Sequence, residues 1–101
     1  MSVHIGQVTI PASGGPIALV TGVTPTATRV PCYEIIVQKN SANAIRVGDS
    51  TVTASTGIAV AASNAAPGPV YLGPYMALSL DLATTFVFGI SGDKVDFAYV
   101  K

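Results

Sequence analysis

Few side chains in this chain are suited to act as base, nucleophile or metal ligand: one histidine, one cysteine, one glutamate and four aspartates. His4 has the ring for general-base or metal-ligand work, but it stands in an alternating run and reads as a strand residue near the surface. Cys32 has no second cysteine to pair with and builds no metal site alone. It is expected to be a buried thiol acting as a small hydrophobe. Asp49 and Asp93 fall in Gly-containing turns, where Asp stabilises the local backbone; Asp81 falls in a brief apolar segment. Asp93 and Asp96 are close enough to suggest Ca²⁺, yet that ion takes about six or more oxygens and their spacing is not a loop motif. Ser13-Gly14-Gly15-Pro16 and Ala66-Pro67-Gly68-Pro69 lack the Lys and helix start of a phosphate loop. Tyr33, Tyr71, Tyr75 and Tyr99 could form a sugar platform, with Tyr71 and Tyr75 flanking a Gly-Pro turn; an edge or subunit interface is the preferred reading. No nucleophile stands beside a base. The expectation is a protein that is not an enzyme, with no catalytic, cofactor-binding or metal-binding residue and no cofactor.

The elements that must carry these groups read as strands. Val, Thr and Ile fit pleated sheets, and seven prolines leave few windows for a helix. Runs are expected at Val3 to Ile10, Ile17 to Gly22, Val30 to Gln38, Ala44 to Val47, Val52 to Val60 and Val70 to Leu72. Val23 to Thr28 reads as a loop or edge strand because of Pro25. In Val30 to Gln38, period-two alternation puts Cys32, Glu34 and Ile36 on one face and Tyr33, Ile35 and Val37 on the other. Lys39 to Asn43 is a turn. Met76 to Ala83 reads as a turn or loop with an apolar plug. Thr84 to Ile90 and Lys94 to Val100 both alternate and are joined by Ser91-Gly92-Asp93, which predicts a hairpin. Its inward residues would be Phe86, Phe88 and Ile90 on one strand and Val95, Phe97 and Tyr99 on the other. Many short strands between turn signals predict an all-β protein: an antiparallel β-sandwich, jelly-roll-like, with residues 1–101 as a single domain.

Composition narrows the function. The 101 residues are half apolar, and the five basic and five acidic residues cancel. That balance excludes the clustered basic surplus of a nucleic-acid binder. No run approaches the roughly 18 apolar residues of a membrane helix, so no membrane partner is expected. Met1 to Gly6 lacks the basic-then-apolar order of a secretory signal. Charged residues make up 10% of the chain, against about 25% in ordinary soluble domains. A surface so neutral promotes association, which predicts a homo-oligomer.

Ile45-Arg46-Val47-Gly48-Asp49-Ser50-Thr51-Val52-Thr53-Ala54-Ser55-Thr56-Gly57-Ile58 resembles a recurring pattern of small tailed-phage virion proteins. There an I-x-V-G-D-S-x-V strand and turn precedes G-I-x-L/V. The ending Asp81-Leu82-Ala83-Thr84-Thr85-Phe86-Val87-Phe88-Gly89-Ile90-Ser91-Gly92-Asp93-Lys94-Val95 is similar to their D-L-x-x-x-F/Y-V-x-G-x-x-G-D-x-V close. The chain departs from the pattern at Asn64-Ala65-Ala66-Pro67-Gly68-Pro69, where a Gly-Glu-Ser turn is usual. The resemblance implies a structural virion component on the outer surface of the phage capsid: a cement or decoration protein bridging neighbouring major capsid subunits. The alternative it implies is a receptor- or glycan-binding module of a head fibre or tail adhesin. Because capsid shells present threefold and quasi-threefold junctions, the resemblance implies a trimer first and a dimer second. Contact through apolar loops and strand edges is expected, with Pro11 to Pro16, Val23 to Pro31 and Ala66 to Pro74 as the contact segments.

Overall fold

A computed structural model describes residues 2–40, 43–60 and 70–101. Among them ten strands follow one another: β1 (Val3–Thr9), β2 (Ile17–Ala18), β3 (Pro31–Cys32), β4 (Glu34–Asn40), β5 (Ile45–Gly48), β6 (Ile58–Val60), β7 (Val70–Leu72), β8 (Leu80–Asp81), β9 (Phe86–Phe88) and β10 (Lys94–Val100). A single 3₁₀ turn, Leu19–Gly22, is the only helical element among the described residues. All pairings are antiparallel, as the turn-rich sequence requires. They make a four-stranded sheet in the order β1-β10-β4-β7, a second in the order β2-β9-β5-β6, and the small pair β3-β8. The protein is therefore all-β, an arrangement compatible with a β-sandwich.

Alternation explains how the sheets meet. Val8 of β1, Ile35 and Val37 of β4, and Val95, Phe97 and Tyr99 of β10 turn inward from the first sheet. Ile45 and Val47 of β5, Val60 of β6 and Val87 of β9 turn inward from the second. Both sets belong to one apolar cluster, closed by Leu19, Val30, Cys32 and Leu82. Phe97 lies directly opposite Gly6 across the β1-β10 pair. Only a glycine fits there, because a Cβ on Gly6 would collide with the Phe97 ring.

Several expectations change. Thr84 to Ile90 and Lys94 to Val100 are not a hairpin: β9 pairs with β2 and β5, while β10 pairs with β1 and β4, so the two lie in different sheets. The turn between them is tight, with Gly92 at φ 88° and Asp93 N–H donating to the Ile90 carbonyl at 3.0 Å. Ile10 then captures it, accepting from Gly92 N–H at 2.9 Å and donating to the Asp93 carbonyl at 2.8 Å. That capture hands the chain from one sheet to the other. The parity of β9 also reverses. Val87 is buried, whereas Phe86 and Phe88 lie on the other face, half-buried, opposite Gly48 and Arg46. Ile90 is exposed.

The run Val30 to Gln38 is broken at Tyr33, which belongs to no strand. Tyr33 N–H donates to the Val100 carbonyl at 2.7 Å. The inserted residue puts Cys32 on the core side together with Ile35 and Val37, not on the side of Glu34 and Ile36. Elsewhere Ile17 to Gly22 is strand only to Ala18, Ala44 to Val47 is displaced by one residue, and Val52 to Val60 is strand only from Ile58. β4 continues through Lys39, which is buried, to Asn40. Met76 to Ala83 is no plug at its start: Met76 and Leu78 face solvent, and only Leu82 enters the core.

Candidate docking surface

The solvent side of the first sheet is built by register. Residues opposite one another across strands share a face, so the pairings define rows. One row runs Ile5, Ala98, Ile36, Tyr71 across all four strands. Beside it lie Val3, Val100 and Glu34 on one side and Gln7, Asp96 and Gln38 on the other. Lys94 opposes Thr9 and Asn40 beyond the polar row. Every second residue of these strands feeds the core, so this face holds the remainder, and a sheet lying over a core usually makes it polar. Here Val3 is 70% and Ile5 80% exposed, and Tyr71 is exposed too.

Tyr75, in the segment after β7, extends this surface. Tyr75, Met76 and Leu78 are all exposed. The loop is fixed at its root, where Tyr75 N–H donates to the Tyr33 carbonyl at 3.0 Å. A depression of about 310 Å³ between Val3, Tyr33, Glu34, Tyr75 and Val100 joins the loop to the sheet. A second, of about 760 Å³, lies over Ile36, Gln38 and Ala98 against a wall of Gly22 and Thr24. Tyr and Met are the residue types enriched where proteins meet, and contiguous exposed apolar area marks interaction sites.

The chemistry-bearing residues are not brought together. His4 points to the inner side of β1, stacked on Tyr99 with ring centroids 5.2 Å apart. Its Nε2 lies 2.9 Å from Ser2 Oγ. Asp96 accepts from Gln7 Nε2 at 2.6 Å on the outer face, while Asp93 sits in the inter-sheet turn, accepting from Asn43 Nδ2 at 3.2 Å. Among the described residues no three His, Cys, Asp or Glu side chains gather where a metal ion could be held. Tyr99 is a core residue, so of the four tyrosines Tyr71 and Tyr75 are the exposed ones. Ser13 to Pro16 turns the chain toward β2, with Gly14 N–H donating to the Pro11 carbonyl at 2.9 Å; Ala66 to Pro69 lies outside the described residues.

Cys32 is fully buried. Desolvation, with the charge of Asp81 adding to it, pushes its thiol up to about 11. Since the thiolate is the reacting species, a disulfide reagent at pH 8 is expected to label the folded protein at least ~100-fold more slowly than the unfolded chain. Stoichiometric labelling of the folded protein within minutes would contradict this placement.

Asp49 and Arg46 show what the Ile45 to Ile58 motif does. Thr51 donates to the Asp49 carboxylate from its hydroxyl and from its N–H, the latter at 2.9 Å. These bonds hold the carboxyl below its usual range. The Arg46 side chain reaches across the loop to the carbonyls of Ala54 at 3.1 Å and Gly57 at 2.9 Å. The motif is thus a pinned strand-and-loop unit with Val52 tucked under it.

Sequence reasoning missed two things. The cross-strand apolar row was invisible because no single strand contains it; it exists only once register is known. The role of Asp81 was also missed. Its carboxylate accepts from Val30 N–H at 3.0 Å, Ala83 N–H at 2.9 Å and Arg29 Nε at 2.8 Å. The local Asp81–Ala83 bond is an Asx turn legible in principle, but Val30 and Arg29 are some fifty residues away. No family model, no curated protein and no solved structure matches the chain.

Proposed function

We propose that this chain is a structural virion protein, a cement or decoration protein on the outer surface of a tailed-phage capsid that bridges neighbouring major capsid subunits. The observation that carries the reading is the apolar row Ile5-Ala98-Ile36-Tyr71, with Tyr75 beside Val3 and Val100 at its margin, on a face where a sheet would ordinarily be polar. The strand orders support it. With the small β3-β8 pair set aside, β1-β10-β4-β7 and β2-β9-β5-β6 read as two interlocked Greek keys, the jelly-roll form used by viral capsid and lectin domains. That part is fold-level analogy; the docking surface is the physical argument.

Of the strands on this face, Glu34, Lys94 and Asp96 supply the charges. Attachment by apolar burial is weakly screened. In purified particles the chain is expected at hundreds of copies and retained through a wash at about 1 M salt, where the Debye length is about 3 Å. Met76→Asp and Tyr71→Asp should detach it without unfolding it. A handful of copies per particle, or release by salt alone, would overturn the cement reading. The Gln7-Asp96-Gln38 row beside Ile36 and Tyr71 supports a second reading, a glycan-binding module: amides and a carboxylate next to an aromatic ring suit a neutral sugar. A low copy number together with saturable sugar binding lost in Gln38→Ala would select it.

A further inference from the structure

We infer that the free edge of β1 is a pairing site for β1 of a second copy of this chain, joining two molecules about a two-fold axis normal to the sheet. β1 is the outermost strand of its sheet, so half of its backbone groups face away from β10. Which half is fixed by the flanking bonds. Ser2 and Lys101 exchange N–H to carbonyl bonds at 2.7 and 3.0 Å, and Ile10 N–H reaches Asp93. The even-numbered residues therefore bond to β10, and the N–H and carbonyl groups of Val3, Ile5, Gln7 and Thr9 point outward.

Natural edges are usually blunted by lysine, proline, a bulge or a covering element. β1 contains no lysine or proline, and its register with β10 is unbroken over seven residues. Among the described residues, cover is present only toward its far end. Gly22 lies against the Gln7 carbonyl so closely that a Cβ there would collide with it. Val3 and Ile5 are left as the open window.

A window of that length admits one antiparallel register. Val3 pairs with Ile5 of the partner subunit, Ile5 with the partner subunit's Val3, and His4 lies beside the axis. Four main-chain hydrogen bonds form, each a donor meeting an acceptor, and no charged side chain of β1 is brought against its copy. Outward side chains stay on one face. The row Tyr71-Ile36-Ala98-Ile5 then runs on into Val3 and Val100 of the partner subunit, so two apolar rows become one surface across an eight-stranded sheet. The contact itself is small against the roughly 800 Å² per partner of a stable interface, so the dimer forms at high concentration or when both copies sit on one support. This pairing stands on edge geometry alone. Its use rests on the proposed function: a two-fold pair presents two docking faces on the same side, which suits bridging two neighbouring subunits.

The test is sedimentation equilibrium of the full chain over a wide concentration range, with amide hydrogen exchange followed in parallel. A mass rising from one chain to two is expected, and the amides of Val3 and Ile5 should slow at least tenfold as it rises, while the Tyr71 amide does not. Ile5→Pro removes only an outward N–H and should weaken association at least tenfold with an unchanged dichroism spectrum. If it fails to fold, Ile5→Lys should give the same loss while keeping the strand. A mass of one chain at every concentration, a trimer, or a dimer in which Val3 and Ile5 amides exchange freely would overturn the inference. None of these results bears on particle copy number, which tests the cement reading separately.

Discussion

Phe97→Ala is expected to destabilise the fold by about 3–5 kcal/mol, the cost of deleting a buried aromatic ring and leaving its cavity. Phe97 is 3% exposed and sits on β10 between β1 and β4, so strands on both sides of it are fixed. Its ring covers Gly6, which has no side chain to fill the space, and stacks on Tyr99 with centroids 6.0 Å apart. A collapse that would shrink the cavity must move a glycine backbone already held in register. Domains of this kind have about 5–15 kcal/mol in all, so the loss is about a fifth or more. At roughly 4–8 °C per kcal/mol the midpoint should fall by about 12–40 °C. Phe88→Ala, on the half-buried outer side of β9, should cost clearly less. Urea titration of the two variants checks the difference. A cost below about 1 kcal/mol for Phe97→Ala would mean that β10 presents its other face to the core.

Asp81→Ala should be the next most damaging change, at about 3 kcal/mol, because it strands several donors at once. Val30 N–H and Ala83 N–H are partly buried, and both point at the carboxylate. Arg29 adds an ion pair, but its side chain is exposed, so Arg29→Ala alone should cost no more than about 1 kcal/mol. The same contacts give a pH dependence. Burial raises the Asp81 carboxyl, but the Ala83 and Val30 N–H groups with Arg29 outweigh it and hold it below the usual range. The unfolded chain therefore binds the proton first as pH falls. The stabilisation is fully present above the ordinary carboxylate range, near pH 4, and is lost as pH falls through the folded value. Asp81→Asn should flatten this acid-side loss in denaturant titrations between pH 7 and pH 3. A variant with the wild-type slope would show that Asp81 is not its source.

How far the sequence reaches can be judged at particular residues. Lys94 to Val100 was legible because one face of it is buried and its alternation is unbroken, and β7 at Val70 to Leu72 was legible to the residue because Gly73-Pro74 closes the run. β9 failed because its aromatics, Phe86 and Phe88, outweigh Val87 in any hydrophobic count, yet Val87 is the residue that its pairing with β2 and β5 turns into the core. The hairpin failed because a tight Gly turn is local, while the bonds from Ile10 that redirect the chain are not. Tyr33 shows the same limit, since one residue out of register reverses every face that follows. The candidate surface depended most on what sequence lacks. Ile5, Ile36, Tyr71 and Ala98 are far apart in the chain and belong together only through pairing.

The position of β10 has a consequence for how the molecule comes to exist. The strand latest in the sequence lies between β1 and β4, near the middle of its sheet. Until it arrives, β1 has no sheet to belong to and β4 keeps only its pairing with β7. A ribosome-bound chain therefore cannot complete this sheet while Lys94 to Val100 remain in the exit tunnel. Closure joins segments some ninety residues apart in sequence, a topology that folds in milliseconds to seconds, not microseconds. During that interval the unpaired edges are free to meet those of other nascent chains, so yield in expression should depend on how far apart in space those chains are kept.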